Sequence, residues 1–187
     1  MKPNPILLVL VGLLVGLFVG VEFAHYSLGG VCPKAPCVSG AELTPVTNRD
    51  YGPAVLELIK SAKESIHITS LELKYYENYK DSSVNEVVRE LVAAHNRGVD
   101  VKILIDEYSK ENNAYDLLKA AGVNVRWDDN RTTTHAKLVI IDGKTVLLGS
   151  TNFSHYSLEK NHEANIIIRD KKTAEQFEEY FKSLWDI

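Results

Sequence analysis

A histidine and a lysine stand two residues apart, at His135 and Lys137, and Ser150 and Asn152 follow shortly after them. Side chains two apart on a strand point to the same face, so the imidazole and the ammonium would lie side by side. Such a face can bind a phosphate, and Ser150 and Asn152 could donate to the same oxygens. We predict phosphate-ester cleavage with His135 as the nucleophile. Lys137 and Asn152 are the other predicted catalytic groups, and with Ser150 they form the predicted phosphate-binding set.

Two carboxylates accompany this pattern. A neutral imidazole is a competent nucleophile when its second ring nitrogen donates to a carboxylate, and Glu163 is the predicted orienting group. Asp142 belongs to the same catalytic pattern. However, Asp142-Gly143 is also a strong signal for a tight hairpin turn, so we expect Asp142 to hold a loop rather than to touch phosphate.

The order of these residues is specific: His-x-Lys, four residues, Asp142, six residues, Gly149-Ser150, then Asn152. This arrangement resembles the signature of the phospholipase D superfamily, in particular its small single-motif members of the bacterial endonuclease and mitochondrial cardiolipin hydrolase type. The resemblance implies an α/β fold with a mixed, largely parallel sheet sandwiched by helices. It also implies a homodimer with a shared active site, in which His135 of a second copy acts as acid and base. No metal or other cofactor is expected, because the lysine, serine and asparagine supply the electrophilic groups.

Alternating helical and strand patterns surround the motif. Apolar residues recur at helical spacing over 52–63, 84–92, 115–118 and 173–185, and short apolar runs typical of strands occupy 65–73, 99–105, 123–127 and 164–168. Two further runs, 135–141 and 145–148, flank Asp142-Gly143 and predict a hairpin. This alternation favours an α/β domain over residues 48–187.

The N-terminus carries a different signal. Residues 6–21 are an unbroken apolar run, short for a spanning helix and long for a signal-peptide core, so 1–24 is predicted to be a transmembrane anchor or an uncleaved signal. Lys2 precedes the run and the next basic residue is Lys34, which favours a catalytic domain outside the cytoplasm, or exported if the segment is cleaved. Residues 25–47 read as a linker. Its Cys32 and Cys37 suit a small disulfide loop, with two idle thiols or half a zinc site as the alternatives.

Composition limits the function only weakly. The 187-residue chain is 45% hydrophobic and 25% charged, as globular proteins are, and its formal net charge of −4 neither requires nor excludes nucleic acid. The leading hypothesis is a nuclease acting on DNA or RNA. The alternatives are a phospholipase D or cardiolipin hydrolase held near lipid by the N-terminal segment, and a non-catalytic dimer that binds nucleic acid.

Overall fold

A computed structural model of the chain describes residues 40–111, 113–129 and 131–186, which form a seven-stranded sheet with helices on both faces. In chain order the strands are β1 (Glu42–Thr47), β2 (Ser65–Ser70), β3 (Asp100–Ile105), β4 (Asn124–Trp127), β5 (Leu138–Ile141), β6 (Thr145–Gly149) and β7 (Ala164–Arg169). The helices of this part of the chain are α1 (Tyr51–Ser61), α2 (Ser83–Asn96), α3 (Tyr115–Ala120), α4 (His155–Glu159) and α5 (Lys171–Trp185).

The sheet is mixed, with its strands in the order β1-β7-β6-β5-β2-β3-β4. Strands β2, β3 and β4 run parallel, because α2 and α3 provide the long crossovers that parallel neighbours require. The other four pairings are antiparallel. The mixed sheet between helices is confirmed, but the expectation of a largely parallel sheet is wrong, since only the β2–β3 and β3–β4 pairings are parallel. The turn between β5 and β6 is too short to join parallel strands.

Two hydrophobic clusters lie on opposite faces of the sheet, because neighbouring strand residues point in opposite directions. In β5, Val139 belongs to the larger cluster with α1, α2 and α3, whereas Leu138 and Ile140 face the smaller cluster with α5. The buried Phe181 anchors α5 to the smaller cluster. This alternation produces the predicted helix-sheet-helix layering.

A buried histidine fastens α5 to the sheet. His67 of β2 stacks on Phe181, with ring centroids 4.8 Å apart and an interplanar angle of 7°. Its Nδ1 lies 2.6 Å from Oε2 of Glu178, and Asp100 Oδ2 lies 3.5 Å from its Nε2. His67 therefore has a structural setting of its own, packed under α5 and opposite Ile140 of β5.

The start of the domain differs from the prediction of a linker through residue 47. Strand β1 forms the sheet edge beside β7, with Pro45 opposite Ile166, and the compact unit begins at Gly40. An edge strand tolerates Pro45 because its outer N–H groups have no ladder partner to lose. The predicted anchor and the two cysteines lie outside the described residues. Among the residues that are described, no helix has the length and apolar character needed to cross a membrane.

The predicted hairpin is present. Asp142 and Gly143 have φ values of +53° and +57°, and Lys144 N donates to Ile141 O at 3.0 Å, which are the features of the tight turn that joins twisted strands. Strand β5 begins at Leu138 rather than at residue 135. The hydrogen bonding between β5 and β6 is weak before Leu138, because Gly149 N lies 3.4 Å from Lys137 O.

The Asp142 carboxylate ties this hairpin to the loop that precedes β2. It accepts hydrogen bonds from the backbone N–H groups of Lys63, Glu64 and Ser65, at 3.1, 2.7 and 3.0 Å. Burial opposes ionisation, but these three donors prevail and hold the pKa of Asp142 below its ordinary value. Asp142 thus has the loop-holding contacts that the sequence predicted.

Substitution Asp142→Asn should lower the free energy of unfolding by roughly 1 to 2 kcal/mol at neutral pH, because an amide cannot accept all of these hydrogen bonds. A depressed carboxyl pKa contributes stability above the unfolded value of 3.8, and that contribution is lost as pH falls through the folded pKa. Urea unfolding at neutral and acid pH tests this. The deficit should shrink in acid, while Glu57→Gln, on the exposed face of α1, should cost little at either pH. A deficit that does not change with pH would refute the assignment.

Candidate active site

The predicted catalytic and phosphate-binding residues other than Asp142 lie at one edge of the sheet because of strand direction and register. The parallel strands β2, β3 and β4 end there, and β5 begins there because it runs antiparallel to β2 with Thr69 opposite Leu138. Strand β6 ends and β7 begins at the same edge, with Gly149 opposite Asn165. The loops on this edge therefore come from both halves of the sheet.

His135 and Lys137 lie together in the extended segment immediately before β5. The Lys137 ammonium lies 3.2 Å from Nδ1 and 3.4 Å from Nε2 of the imidazole, and it donates to the His135 carbonyl oxygen at 2.8 Å. His135 is exposed and Lys137 is partly buried. The structure thus brings the imidazole and the ammonium together, although neither residue is part of the regular strand.

Two carboxylates influence the lysine. Burial lowers the pKa of Lys137, while the negative charges of Glu72 and Glu163 act in the opposite direction. Glu72 was not among the predicted residues. Its position gave no signal, because it lay inside the predicted strand 65–73, whereas β2 ends at Ser70.

Glycine at position 149 allows β6 and β7 to approach closely. A Cβ on Gly149 would lie 2.5 Å from Ala164 O and closer still to Asn165 Oδ1. The Asn165 amide in turn fixes the following loop, accepting from Thr151 N at 3.2 Å and donating to Thr151 Oγ1 at 2.8 Å. Asn165 was also missed, although a buried amide in an otherwise apolar strand is a signal that it satisfies nearby polar groups.

The predicted phosphate-binding loop carries Ser150 and Asn152 beside Glu163. Ser150 Oγ donates to the Glu163 carboxylate and accepts from Ala164 N at 3.1 Å. Oδ1 of Asn152 is buried, and no hydrogen-bond partner for it is found among the described residues. The orphaned atom is an acceptor, so a phosphate, which presents acceptor oxygens as well, would have to be bound through the Nδ2 donor of the same side chain.

Glu163 does not contact His135 as the sequence analysis expected. Its carboxylate instead accepts from Ser150 and, at 3.1 Å, from Asn161 Nδ2. The reason is that Ser150 stands almost opposite Glu163, with Ser150 N donating to Ala164 O at 3.2 Å, and so reaches the carboxylate directly. The structure brings Glu163 into the charge environment of Lys137 but not into a hydrogen bond with the imidazole.

Asp142 lies at the opposite end of β5 from His135, where its carboxylate holds the loop of residues 63–65. It was included in the predicted catalytic set because of its place in the motif. The structure separates it from the other members of that set. Throughout the described ranges, no group of three or more His, Cys, Asp or Glu side chains is arranged to hold a metal ion.

Two further carboxylates secure the segment that leads to His135. Asp106 is 1% exposed and accepts from Thr134 N at 2.6 Å, while Asp128 Oδ2 lies 3.2 Å from the same nitrogen. Burial raises the pKa of Asp106, backbone donors oppose the rise, and the Asp128 carboxylate adds to it. The two aspartates directly follow β3 and β4, so their place at the site follows from the strand order rather than from the spacing of the motif.

Substitution Glu72→Gln should lower the pKa of Lys137, because the variant loses a negative charge that favours the ammonium form. NMR titration of the lysine 13Cε signals, with Lys137 assigned by Lys137→Arg, measures the change. Glu64→Gln is the matched control, since Glu64 pairs with Lys144 at 2.8 Å and should lower the pKa of Lys144 alone. An unchanged Lys137 titration in the Glu72 variant would contradict the charge arrangement.

Comparison with known proteins gives several matches. Residues 55–185 match the family described as cardiolipin synthase, PLD-like domain. The mitochondrial cardiolipin hydrolase of Chlamydomonas reinhardtii is 33% identical over 109 residues, covering 57% of this chain and 48% of that protein. The phospholipase D of Rickettsia prowazekii is 28% identical over 196 aligned positions, covering 94% and 91%.

Solved structures show the same fold. Nuc of Salmonella typhimurium, described as a phospholipase D family member, has a TM-score of 0.68 and 31% identity, covering 78% of this chain and 95% of that one. NucT of Helicobacter pylori has a TM-score of 0.65 at 21% identity, covering 78% and 97%, and supports the fold alone.

The extent of these matches differs. This chain spans about half the length of the curated cardiolipin hydrolases it matches, 48% in the algal protein. The family match nevertheless covers well over half of the chain and includes the His135 segment, the Gly149 loop and Glu163. The chain therefore belongs to the phospholipase D superfamily, through its PLD-like domain.

Proposed function

We propose that this chain is a metal-independent phosphodiesterase that acts through a covalent phosphohistidine at His135, with nucleic acid as its substrate. The observation that carries the proposal is the Lys137 ammonium, held within 3.2 and 3.4 Å of the exposed imidazole nitrogens. The ammonium would attract a phosphodiester to the nucleophile and stabilise the charge that builds up on its oxygens. Asn152 is the second proposed phosphate ligand, through its Nδ2 donor, because its buried Oδ1 is itself an acceptor.

The reaction proceeds in two displacements. A ring nitrogen of His135 attacks phosphorus, an N–P bond forms, and the P–O bond to the leaving alcohol breaks. A general acid donates a proton to that departing oxygen. Water then attacks phosphorus, the same group removes a proton from the water, and the N–P bond breaks to restore the imidazole. Lys137 and Asn152 stabilise the charged oxygens in both steps.

The general acid and base is proposed to come from a second copy of the chain. The sequence has a single His-x-Lys motif, and the exposed position of His135 leaves room for another molecule to approach. A homodimer with its two-fold axis through the site would place His135 of the second copy on the other side of the phosphorus. The N-terminal segment would tether this dimer to the membrane with the site outside the cytoplasm.

Glu163 has a positioning role in this proposal. It accepts from Ser150 and contributes negative charge near Lys137, so it would hold the phosphate-binding loop and favour the ammonium form. The Glu163 carboxylate could orient the imidazole only if it rotated away from Ser150. Substrate or the second copy could cause this rotation by forming a hydrogen bond with the Ser150 hydroxyl in place of Glu163.

A phospholipid is the alternative substrate. It is favoured by the names of the similar proteins, mitochondrial cardiolipin hydrolase and phospholipase D. The same phosphorus chemistry would then act on a headgroup ester at the bilayer surface. Nucleic acid is preferred because exposed tyrosines lie on segments that lead from this end of the sheet, Tyr79 after β2 and Tyr156 after Asn152, and aromatic faces stack well on bases.

Cleavage by the purified full chain tests the proposal, using single-stranded DNA, plasmid DNA and cardiolipin vesicles with excess chelator. We expect chelator-resistant cutting of DNA that falls about 1,000-fold or more in His135→Ala, because the nucleophile is lost. His162→Ala is the matched control, an exposed histidine outside the motif, and should cleave normally. Cleavage of vesicles alone would show that the substrate is a phospholipid rather than nucleic acid. DNA binding without any cleavage would instead favour the non-catalytic dimer.

A further inference from the structure

An aromatic pocket with no role in the proposed phosphate chemistry opens beside the site. Its volume is about 280 Å³, and it is lined by Tyr76, Tyr79, Ser82, His155 and Tyr156. Binding pockets for drug-sized ligands begin at about 300 Å³, so the space suits one ring system rather than an extended chain.

The rings of this pocket present both faces and edges. Tyr76 meets Tyr79 and His155 at interplanar angles of 85° and 82°, with centroids 6.5 and 6.4 Å apart. Tyr79 is 71% exposed and Tyr156 is 69% exposed. Large aromatic surfaces left in contact with water beside a concave pocket are characteristic of groups that stack on a ligand.

A buried asparagine keeps the pocket in shape. Asn85 of α2 is 0% exposed, and its amide donates to the carbonyl oxygens of Tyr76 and Tyr79 at 2.8 and 3.0 Å. Its own oxygen accepts from Tyr76 N at 2.9 Å. The tyrosine loop is therefore ordered before any ligand binds, which reduces the entropy cost of binding.

The pocket is joined directly to the phosphate-binding loop. His155 follows Asn152 by three residues, a span of at most about 11 Å. The backbone between them is fixed, because Phe153 N donates to Glu72 O at 3.2 Å and Lys74 N donates to Phe153 O at 2.8 Å. A strand with its scissile phosphate at Asn152 could thus place a neighbouring base in the pocket.

One polar atom in the pocket lacks a partner. Ser82 Oγ is buried, and within the described part of the chain it makes no hydrogen bond. A buried hydroxyl without a partner is costly, so it favours an occupant with polar atoms on its rim over a hydrocarbon chain. A nucleobase has both a stacking face and a polar edge.

The neighbouring cavity is also unsuited to an acyl chain. It has a volume of about 490 Å³, shares Tyr79 and His155 with the aromatic pocket, and is lined with charges of both signs, Lys80 and Lys160 together with Asp81 and Glu159. Charged groups disfavour an acyl chain, and the two lysines are the groups of this cavity that could contact phosphates of the same strand.

We propose that the aromatic pocket is a base-binding subsite that stacks an unpaired nucleobase next to the scissile phosphate of a single strand. This inference rests on the proposed nuclease function and narrows its substrate to single-stranded nucleic acid. A base within a duplex has both of its faces covered by neighbours and cannot enter the pocket without being unstacked.

The test uses the full chain with Tyr79→Ala and Tyr156→Ala, singly and together. Loss of one stacking partner should raise the KM for single-stranded DNA roughly 5- to 150-fold, corresponding to about 1 to 3 kcal/mol per stacked base. Turnover of an abasic single strand, which keeps the phosphodiester backbone but has no bases, should stay unchanged. Tyr→Phe at either position should restore binding, because the ring is retained.

Tyr108→Ala is the matched control, since Tyr108 is 80% exposed and lies outside the pocket. If the wild type cleaves neither DNA nor the abasic strand, the proposed function itself fails. If it cleaves both and the tyrosine variants bind DNA normally, only the subsite is refuted. Weaker binding of cardiolipin vesicles with unchanged DNA binding would likewise refute it, by assigning the pocket to lipid.

Discussion

The antiparallel pairing of β5 with β2 is the constraint on which the site depends. With Thr69 opposite Leu138, β5 begins at the edge where the parallel strands end. A one-residue slip would move Leu138 and Ile140 from the α5 side to the other face, so burial on both faces of the sheet fixes the register. The same register sets the segment of His135 and Lys137 beside the loops that follow β2, β3 and β6.

Fixed backbone groups around this edge then position the charged side chains. Asn165 orders the loop of Ser150 and Asn152, and Asp106 holds the peptide before His135. Glycine at position 149 removes the side chain that would separate β6 from β7. The result is an ammonium held by local hydrogen bonds and flanked by carboxylates, next to an imidazole open to solvent. Such prearranged charge is suited to stabilising a phosphate that gains negative charge during reaction.

Local features of the fold could be predicted from the sequence. Helical periodicity identified α1, α2 and α5, and Asp142-Gly143 identified the hairpin, because neighbouring residues determine these elements. Non-local pairing could not be predicted in this way: β1 joins β7 across more than a hundred residues, with Pro45 opposite Ile166. For the same reason the motif identified His135 and Lys137, whereas Glu72 and Asp106 become recognisable only once the strand order brings their loops to the same edge.

The most direct measurement of the central claim is chemical trapping of the intermediate. Turnover of single-stranded DNA by the full chain would be quenched in alkaline denaturant, which preserves phosphohistidine, and the digested protein would be mapped by mass spectrometry. We expect a nucleotide fragment joined through phosphorus to His135, released by acid and absent from His135→Ala. A fragment on another residue, or rapid product formation without any protein-bound fragment, would contradict a nucleophilic role for His135.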